Sequence, residues 1–399
     1  MKKFFLYTTF CLLLCLVFSC NGNSTASSLE GGDTIPLQYA KNITMVRYDD
    51  CIKVELVNPW GKGLLGTYFL IQDPLCPDGH IPHNGESHPD GSSLGNSQDG
   101  LPPHYGGGQE RGSSGQQVTI PLKNALVFTA VHCGLICELG MEDCIGGVCE
   151  RQYIHCLTKE VLDCGNGMSP NQERIIQLHP DAMLVSPFES NTGHDKLGQL
   201  GIPVIECAEY MEPTALGRAE WMKFYGLLVG KEAEANALFD ALVARYDSLR
   251  ALTAHVSTTP RIISETLYGN VWYQPGVNSP IGQVYADAGA MTAFPQYTQS
   301  GSVPLSAEQV YAQAHDAEVW LVRYSDRESK TLAQLGAEAD VYSRFDAFRR
   351  HNVWGCNVET SYFYERSPFH PDRLLSDVIQ ICHPELHLQE PMHYYEKLK

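Results

Sequence analysis

Hydrophobic positions along this chain change period twice, and the changes divide it. Residues 42–72 alternate apolar and polar, with Ile43, Met45, Ile52, Val54 and Leu56 followed by Tyr68 and Leu70. A period of two predicts antiparallel strands with one buried face. From Leu122 short apolar runs alternate with helical patterns, as in α/β units. Strands are predicted at Ala125–Thr129, Ala182–Val185 and Pro203–Ile205, and a second set at Arg261–Ser264, Val319–Val322 and Val353–Gly355. Between the sets, Trp221, Phe224, Tyr225, Leu228, Leu238, Leu242, Tyr246 and Leu249 recur at three- and four-residue steps without a proline. That spacing predicts one helix from about Arg218 to Leu252, about 35 residues and roughly 50 Å long.

The two α/β sets share a short repeat. Residues 169–185 read S-P-N-Q-E-R-I-I-Q-L-H-P-D-A-M-L-V, and residues 306–322 read S-A-E-Q-V-Y-A-Q-A-H-D-A-E-V-W-L-V. In each a Glu (Glu173, Glu308) opens a helix and an Asp-Ala pair (Asp181, Asp316) follows before an apolar strand. Acids suit helix N-termini in general, but equal spacing at equivalent places points to a duplicated lobe. Two similar lobes braced by one helix imply a cleft between them, where small molecules bind.

The N-terminus has another character. Lys2 and Lys3 precede an apolar stretch from Phe4 to Phe18, which reads as an export signal over residues 1–19. It is short for a membrane span. The signal ends L-V-F-S-C, and the cysteine resembles that of a bacterial lipobox, which makes Cys20 the expected site of lipidation; an ordinary cleaved signal is the alternative. Residues 20–41 then serve as anchor and tether. Within 73–116, Gly, Pro, Ser and His make up more than half of the residues. The segment reads as an exposed, mobile insertion in the N-terminal lobe.

The 399 residues carry 28 Lys and Arg against 46 Asp and Glu, a net charge of −18. No basic footprint for nucleic acid exists. Of 14 cysteines, Cys11, Cys15 and Cys20 belong to the signal and anchor. Cys133, Cys137, Cys144, Cys149, Cys156 and Cys164 crowd one stretch without a C-x-x-C spacing, so disulfides and buried thiols are favoured over a metal cluster. G-x-S-x-G and H-E-x-x-H are absent, and no catalytic residue can be named.

Four further segments carry a family resemblance: G-M-S-P-N-Q-E-R-I from Gly167, L-G-I-P-V-I-E-C from Leu200, G-R-A-E-W-M-K-F-Y-G-L-L from Gly217 and F-Y-E-R-S-P-F-H-P-D from Phe363. With the lipobox, they make the chain from Val118 onward resemble the substrate-binding lipoproteins of ABC importers for iron complexes and cobalamin. The resemblance implies an α/β fold of two Rossmann-like lobes, residues 42–217 and 257–399, joined by one long rigid helix at 218–256 with the ligand cleft between them. It implies capture of a metal chelate (cobalamin or another corrinoid, haem, or a ferric siderophore), no cofactor, no bare metal site and no enzymatic activity. The implied partners are an ABC permease with its ATPase, docked through Glu173 and Glu308, and a membrane held through Cys20. Aromatic and polar cleft residues are expected at His132, Phe188 and Glu189 in the first lobe. In the second they are expected at Tyr268, Trp272, Tyr273, Tyr362 and Phe363. His132 could equally cap its helix or pack as a ring. Two other classes fit the chain: a surface scavenger of haem or cobalamin without a permease, and an exported metal- or thiol-dependent enzyme.

Overall fold

The computed structural model describes residues 31–75, 115–188 and 197–399. The signal, Cys20, most of the 73–116 insertion with its histidines, and Glu189 lie outside the described residues.

Alternation in the first segment produces the strands Ile43–Arg47, Ile52–Val57 and Leu64–Gln72, paired antiparallel. Gln116–Ile120 adds to the last of them in parallel. This sheet joins the first lobe through side chains. The Gln116 amide brackets the Val204 backbone, donating at 3.2 Å and accepting at 2.9 Å, while the Tyr68 hydroxyl accepts from Glu206 N at 3.1 Å.

The first lobe is a parallel sheet ordered Val204–Glu206, Met183–Val185, Ala125–Val127, Ile145–Val148 and Leu162–Asp163. The second is ordered Met291–Thr292, Arg261–Ser264, Val319–Tyr324, Val353–Asn357 and Glu396–Lys397, parallel except at the last pair. Continuous apolar runs make these strands because helices cover both faces. All six strands predicted from sequence are present within two residues of their expected ends. The α/β architecture of two Rossmann-like lobes therefore stands.

The linking helix does not run unbroken. It divides into Ala215–Glu220, Met222–Leu228 and Glu232–Leu252. Gly230 adopts φ +70°, which ends the second piece because a left-handed residue terminates a helix with little steric cost when it is Gly. The chain folds back there. Gly226 packs so closely on the third piece that a Cβ on it would fall 2.5 Å from the Ala235 methyl. The longest unbroken piece has 21 residues, about 30 Å rather than 50 Å. The helical periodicity survives the break, so periodicity alone could not reveal it.

One hydrophobic core nevertheless runs from the antiparallel sheet (Val54, Leu56) through the linker (Phe224, Tyr225, Tyr246) into the second lobe (Phe369, Leu375, Ile379). Tyr225 meets Phe369 edge to face at 5.6 Å between centroids. Two smaller clusters fill the outer parts of the lobes.

Buried carboxylates pin both ends of the described chain. Glu220 accepts from the backbone N–H groups of Gln38, Tyr39 and Ala40 at 2.7–2.9 Å, and Glu212 from those of Lys41 and Asn42 at 2.9 and 2.8 Å. Asp377 accepts from His393, Tyr394 and Tyr395 at 2.7–3.1 Å. Burial still outweighs these bonds at Asp377, and its carboxyl is pushed up to about 6. In Glu220→Gln one carboxylate oxygen becomes an amide that faces donors. The expected loss is roughly 2–4 kcal/mol in chemical denaturation, with faster hydrogen exchange confined to amides 38–40.

Candidate functional site

In open parallel sheets ligands gather beyond the carboxyl ends of the strands, and the two lobes turn those ends toward each other. Strand Ala125–Val127 of the first lobe leads into helix Ala130–Glu138, and strand Val353–Asn357 of the second leads into the short helices Val358–Ser361 and Phe363–Arg366. The contact is close: a Cβ on Gly134 would fall 2.3 Å from the Glu365 carbonyl oxygen. The Glu365 carboxylate reaches back to accept from the backbone N–H of His155 at 2.5 Å and of Cys156 at 3.1 Å.

Beside this contact lies a cavity of about 600 Å³. The first lobe lines it with Gly134, Cys137, Glu138, His155 and Cys156, and the second with Tyr362, Glu365, Arg366 and Arg373. Tyr362 takes φ +53°, a left-handed conformation that is costly for a side chain of its size. Its ring is flanked by His155, with centroids 5.0 Å apart, and by the Arg366 guanidinium at 4.9 Å. The cavity thus has one aromatic wall and two guanidinium groups.

A charged clasp crosses between the lobes near its rim. His370 Nε2 stands 2.7 and 2.9 Å from the two oxygens of Glu138. Burial alone would lower the imidazole, but hydrogen bonds to Asp372 and Glu138 and the Glu138 charge outweigh it and raise His370 above its usual 6.5, against a small opposing push from Arg373. Burial likewise works to raise Glu138, and its bond to His370 reverses this to leave it below 4.5. Asp372 is also held low by His370, Arg245 and Arg373 in spite of its burial. The histidine part of the clasp is present in full below pH 6.5 and fades as pH rises through the raised value. The carboxylate part is present above pH 4.5 and fades as pH falls through the lowered one. An NMR titration should place the His370 imidazole above 6.5 in the native protein and lower in Glu138→Gln. Equal values would show that the clasp does not set it.

Beneath the cavity is a polar core. His132 is fully buried and stacks on Tyr225 at 5.3 Å, with Nδ1 3.1 Å from the Thr129 hydroxyl and Nε2 3.4 Å from Glu209. Glu209 also accepts from the Tyr225 hydroxyl at 3.3 Å and faces Arg218 at 3.5 Å. Its carboxyl stays low despite burial, through His132 and Arg218.

The expected cleft residues separate into three groups. Tyr362 lines the cavity, and Phe188 is half-buried after the strand Met183–Val185. Tyr268 and Tyr273 are exposed, on a small antiparallel sheet, and neither lines the cavity. Trp272, Phe363 and His132 are buried, and none of them lines the cavity. Trp272 packs within 5.6 Å of Trp320, Tyr342 and Phe345, and its indole N–H donates to the Ser264 carbonyl at 2.8 Å. Its strand neighbours point the opposite way, so the period of two buries this one ring and exposes Tyr273. Phe363 packs against Tyr394 at 5.2 Å and lies under Arg323 at 5.1 Å. Glu173 and Glu308 are both exposed, each in the first turn of its helix, Gln172–Leu178 and Ala307–Ala314.

Sequence reasoning did not single out Glu138, His155, Glu365, Arg366, His370 or Arg373. Four of the six stand inside or beside the F-Y-E-R-S-P-F-H-P-D segment, the only signal that could have drawn attention to them. Among the described residues no group of three or more His, Cys, Asp or Glu side chains could hold a metal ion, and no helix is long and apolar enough to cross a membrane.

Known proteins resemble this chain in sequence or in fold. An uncharacterized lipoprotein of Methanocaldococcus jannaschii is 23% identical over 427 residues, covering 100% of this chain and 97% of its own. A second lipoprotein of that organism is 25% identical over 248 residues, 60% of this chain and 62% of its own. Among solved structures, the periplasmic heme-binding protein RhuT of Roseiflexus superposes with a TM-score of 0.54 at 18% identity, covering 66% of this chain and 99% of that one. The siderophore-binding protein FhuD of Vibrio cholerae, bound to ferric desferal, gives 0.52 at 20%, covering 65% and 99%. At such identities the likeness is one of fold. The family described as periplasmic binding protein matches residues 139–359, more than half of the sequence and both lobes, and the chain belongs to that family.

Proposed function

We propose that this protein is the exported, lipid-anchored substrate-binding component of an ABC importer and that it captures a metal chelate between its lobes. The observation that carries the reading is the 600 Å³ cavity between the carboxyl ends of two parallel sheets, with walls from both lobes. A site walled by two lobes suits capture and release of a small molecule. The anchor rests on the L-V-F-S-C signal ending at Cys20, and the matching lipoproteins of Methanocaldococcus jannaschii support it.

The lining favours an anionic, conjugated cargo. Tyr362 offers a flat face and Arg366 and Arg373 offer guanidinium groups. Of the carboxylates, Glu138 is engaged by His370 and Glu365 by backbone N–H groups. Guanidinium pairs well with carboxylate or catecholate oxygens, and aromatic rings stack on a conjugated chelate. Haem or an acidic ferric siderophore satisfies both features. Trp272 and Phe363 are both buried and line no part of the cavity, so neither supports a corrinoid. The purified protein should bind one such chelate per chain in calorimetric and absorbance titrations. Tyr362→Ala and Arg373→Ala should each weaken binding at least fivefold without loss of helical signal. Binding of cyanocobalamin as tight as that of haem would overturn the anionic assignment.

Docking is assigned to Glu173 and Glu308. Their exposure and their equivalent places in the duplicated lobes support one acidic contact from each lobe to a two-fold permease, where charge fixes orientation. In the double variant Glu173→Ala, Glu308→Ala, uptake by cells should fall while the affinity for cargo is unchanged. Undiminished uptake would favour the surface scavenger, which needs no permease.

A further inference from the structure

Two of the residues lining the cavity are cysteines on separate segments of the first lobe. Cys137 lies in the last turn of helix Ala130–Glu138, and Cys156 in the loop after residues 151–153. Both are partly exposed, whereas the neighbouring Cys133 and Cys144 are buried. The Cys156 thiol interacts with that of Cys137. Both segments also grip the same residue of the second lobe. The helix meets the Glu365 backbone at Gly134, one turn before Cys137, and the loop donates its His155 and Cys156 N–H groups to the Glu365 carboxylate.

We propose that Cys137 and Cys156 form a reversible dithiol–disulfide site that fixes the first-lobe half of the contact with Glu365. The oxidant is a protein or low-molecular-weight disulfide. One cysteine thiolate attacks a sulfur of that disulfide, giving a mixed disulfide and releasing one thiolate. The second cysteine, having lost its proton, then attacks the cysteine sulfur of the mixed disulfide and expels the other thiolate. One Cys137–Cys156 bond forms, one external disulfide is reduced to two thiols, and the protons lost by the cysteines are taken up by the leaving thiolates. The interaction with Cys137 and burial both push the Cys156 thiol up, so the first attack falls to a small thiolate population and the exchange is slow unless catalysed. An exported chain meets an oxidising compartment in which such a bond persists. The site does not depend on which solute the cavity takes.

The test uses the whole chain equilibrated with glutathione at a series of oxidised-to-reduced ratios, quenched by alkylation and digested. A linked peptide joining Cys137 to Cys156 is expected, with Cys133 and Cys144 recovered as thiols after unfolding. Recovery of Cys137 and Cys156 as separate alkylated thiols at the most oxidising ratio, or linked to other cysteines, would overturn the site. Hydrogen exchange reads the consequence. The His155 and Cys156 amides should exchange at least tenfold more slowly in the oxidised protein than in the reduced one. A Cys137→Ser, Cys156→Ser double variant should match the reduced protein under both conditions. Equal exchange in the oxidised and reduced forms would show that the bond does not stiffen the contact.

Discussion

A carboxylate taken out of water and surrounded by backbone N–H groups is the interaction on which this structure depends. Glu220 and Glu212 hold residues 38–42, Asp377 holds residues 393–395, and Glu365 holds residues 155 and 156. Burying an ionised group is costly unless its oxygens are fully engaged. Each of these carboxylates offsets part of that cost through backbone bonds, although at Asp377 burial still outweighs them. The pairings span 170 residues or more for Glu212, Glu220 and Glu365, and they close the chain on itself. A neutral replacement would keep the volume and lose acceptors, leaving backbone donors buried and unpaired.

The same logic explains how the lobes are held. The core passes without a gap from the antiparallel sheet through the linker into the second lobe, so separating the lobes widely would expose Tyr225 and Phe369. That restraint does not come from one rod, as the helical pattern suggested. It comes from a hairpin of helices, Met222–Leu228 folded against Glu232–Leu252 through Gly226 and Ala235, with Pro371–Cys382 packed on the long member. A packed hairpin resists bending because movement on one side must break contacts on the other.

The cavity acquires its character from how the charges in its walls are engaged. Glu138 is engaged by His370 and Glu365 by two amides, which leaves the two arginines to set the field around Tyr362. Outside the cavity lining, His132 and Tyr225 converge on Glu209, which also faces Arg218. The histidine stacks on Tyr225 and stands between the Thr129 hydroxyl and Glu209.

The sequence by itself determined the lobes and the order of their elements. Strand positions followed from apolar runs, the antiparallel segment from its period of two, and the duplicated helix starts from the spacing of Glu173 and Glu308, because all of these are local periodicities. Where the linker breaks was also written locally, in Gly230, but an uninterrupted apolar period outweighed a single glycine. Which aromatic residues meet the cavity was a different kind of question. Trp272, Phe363 and Tyr362 have similar chemistry, yet of the three only Tyr362 lines the cavity. The burial of Trp272 depends on Trp320, Tyr342 and Phe345, which arrive from distant parts of the chain. The clasp between Glu138 and His370 joins residues 232 positions apart. Such pairings carry no periodic signature, and only the tertiary structure could decide them.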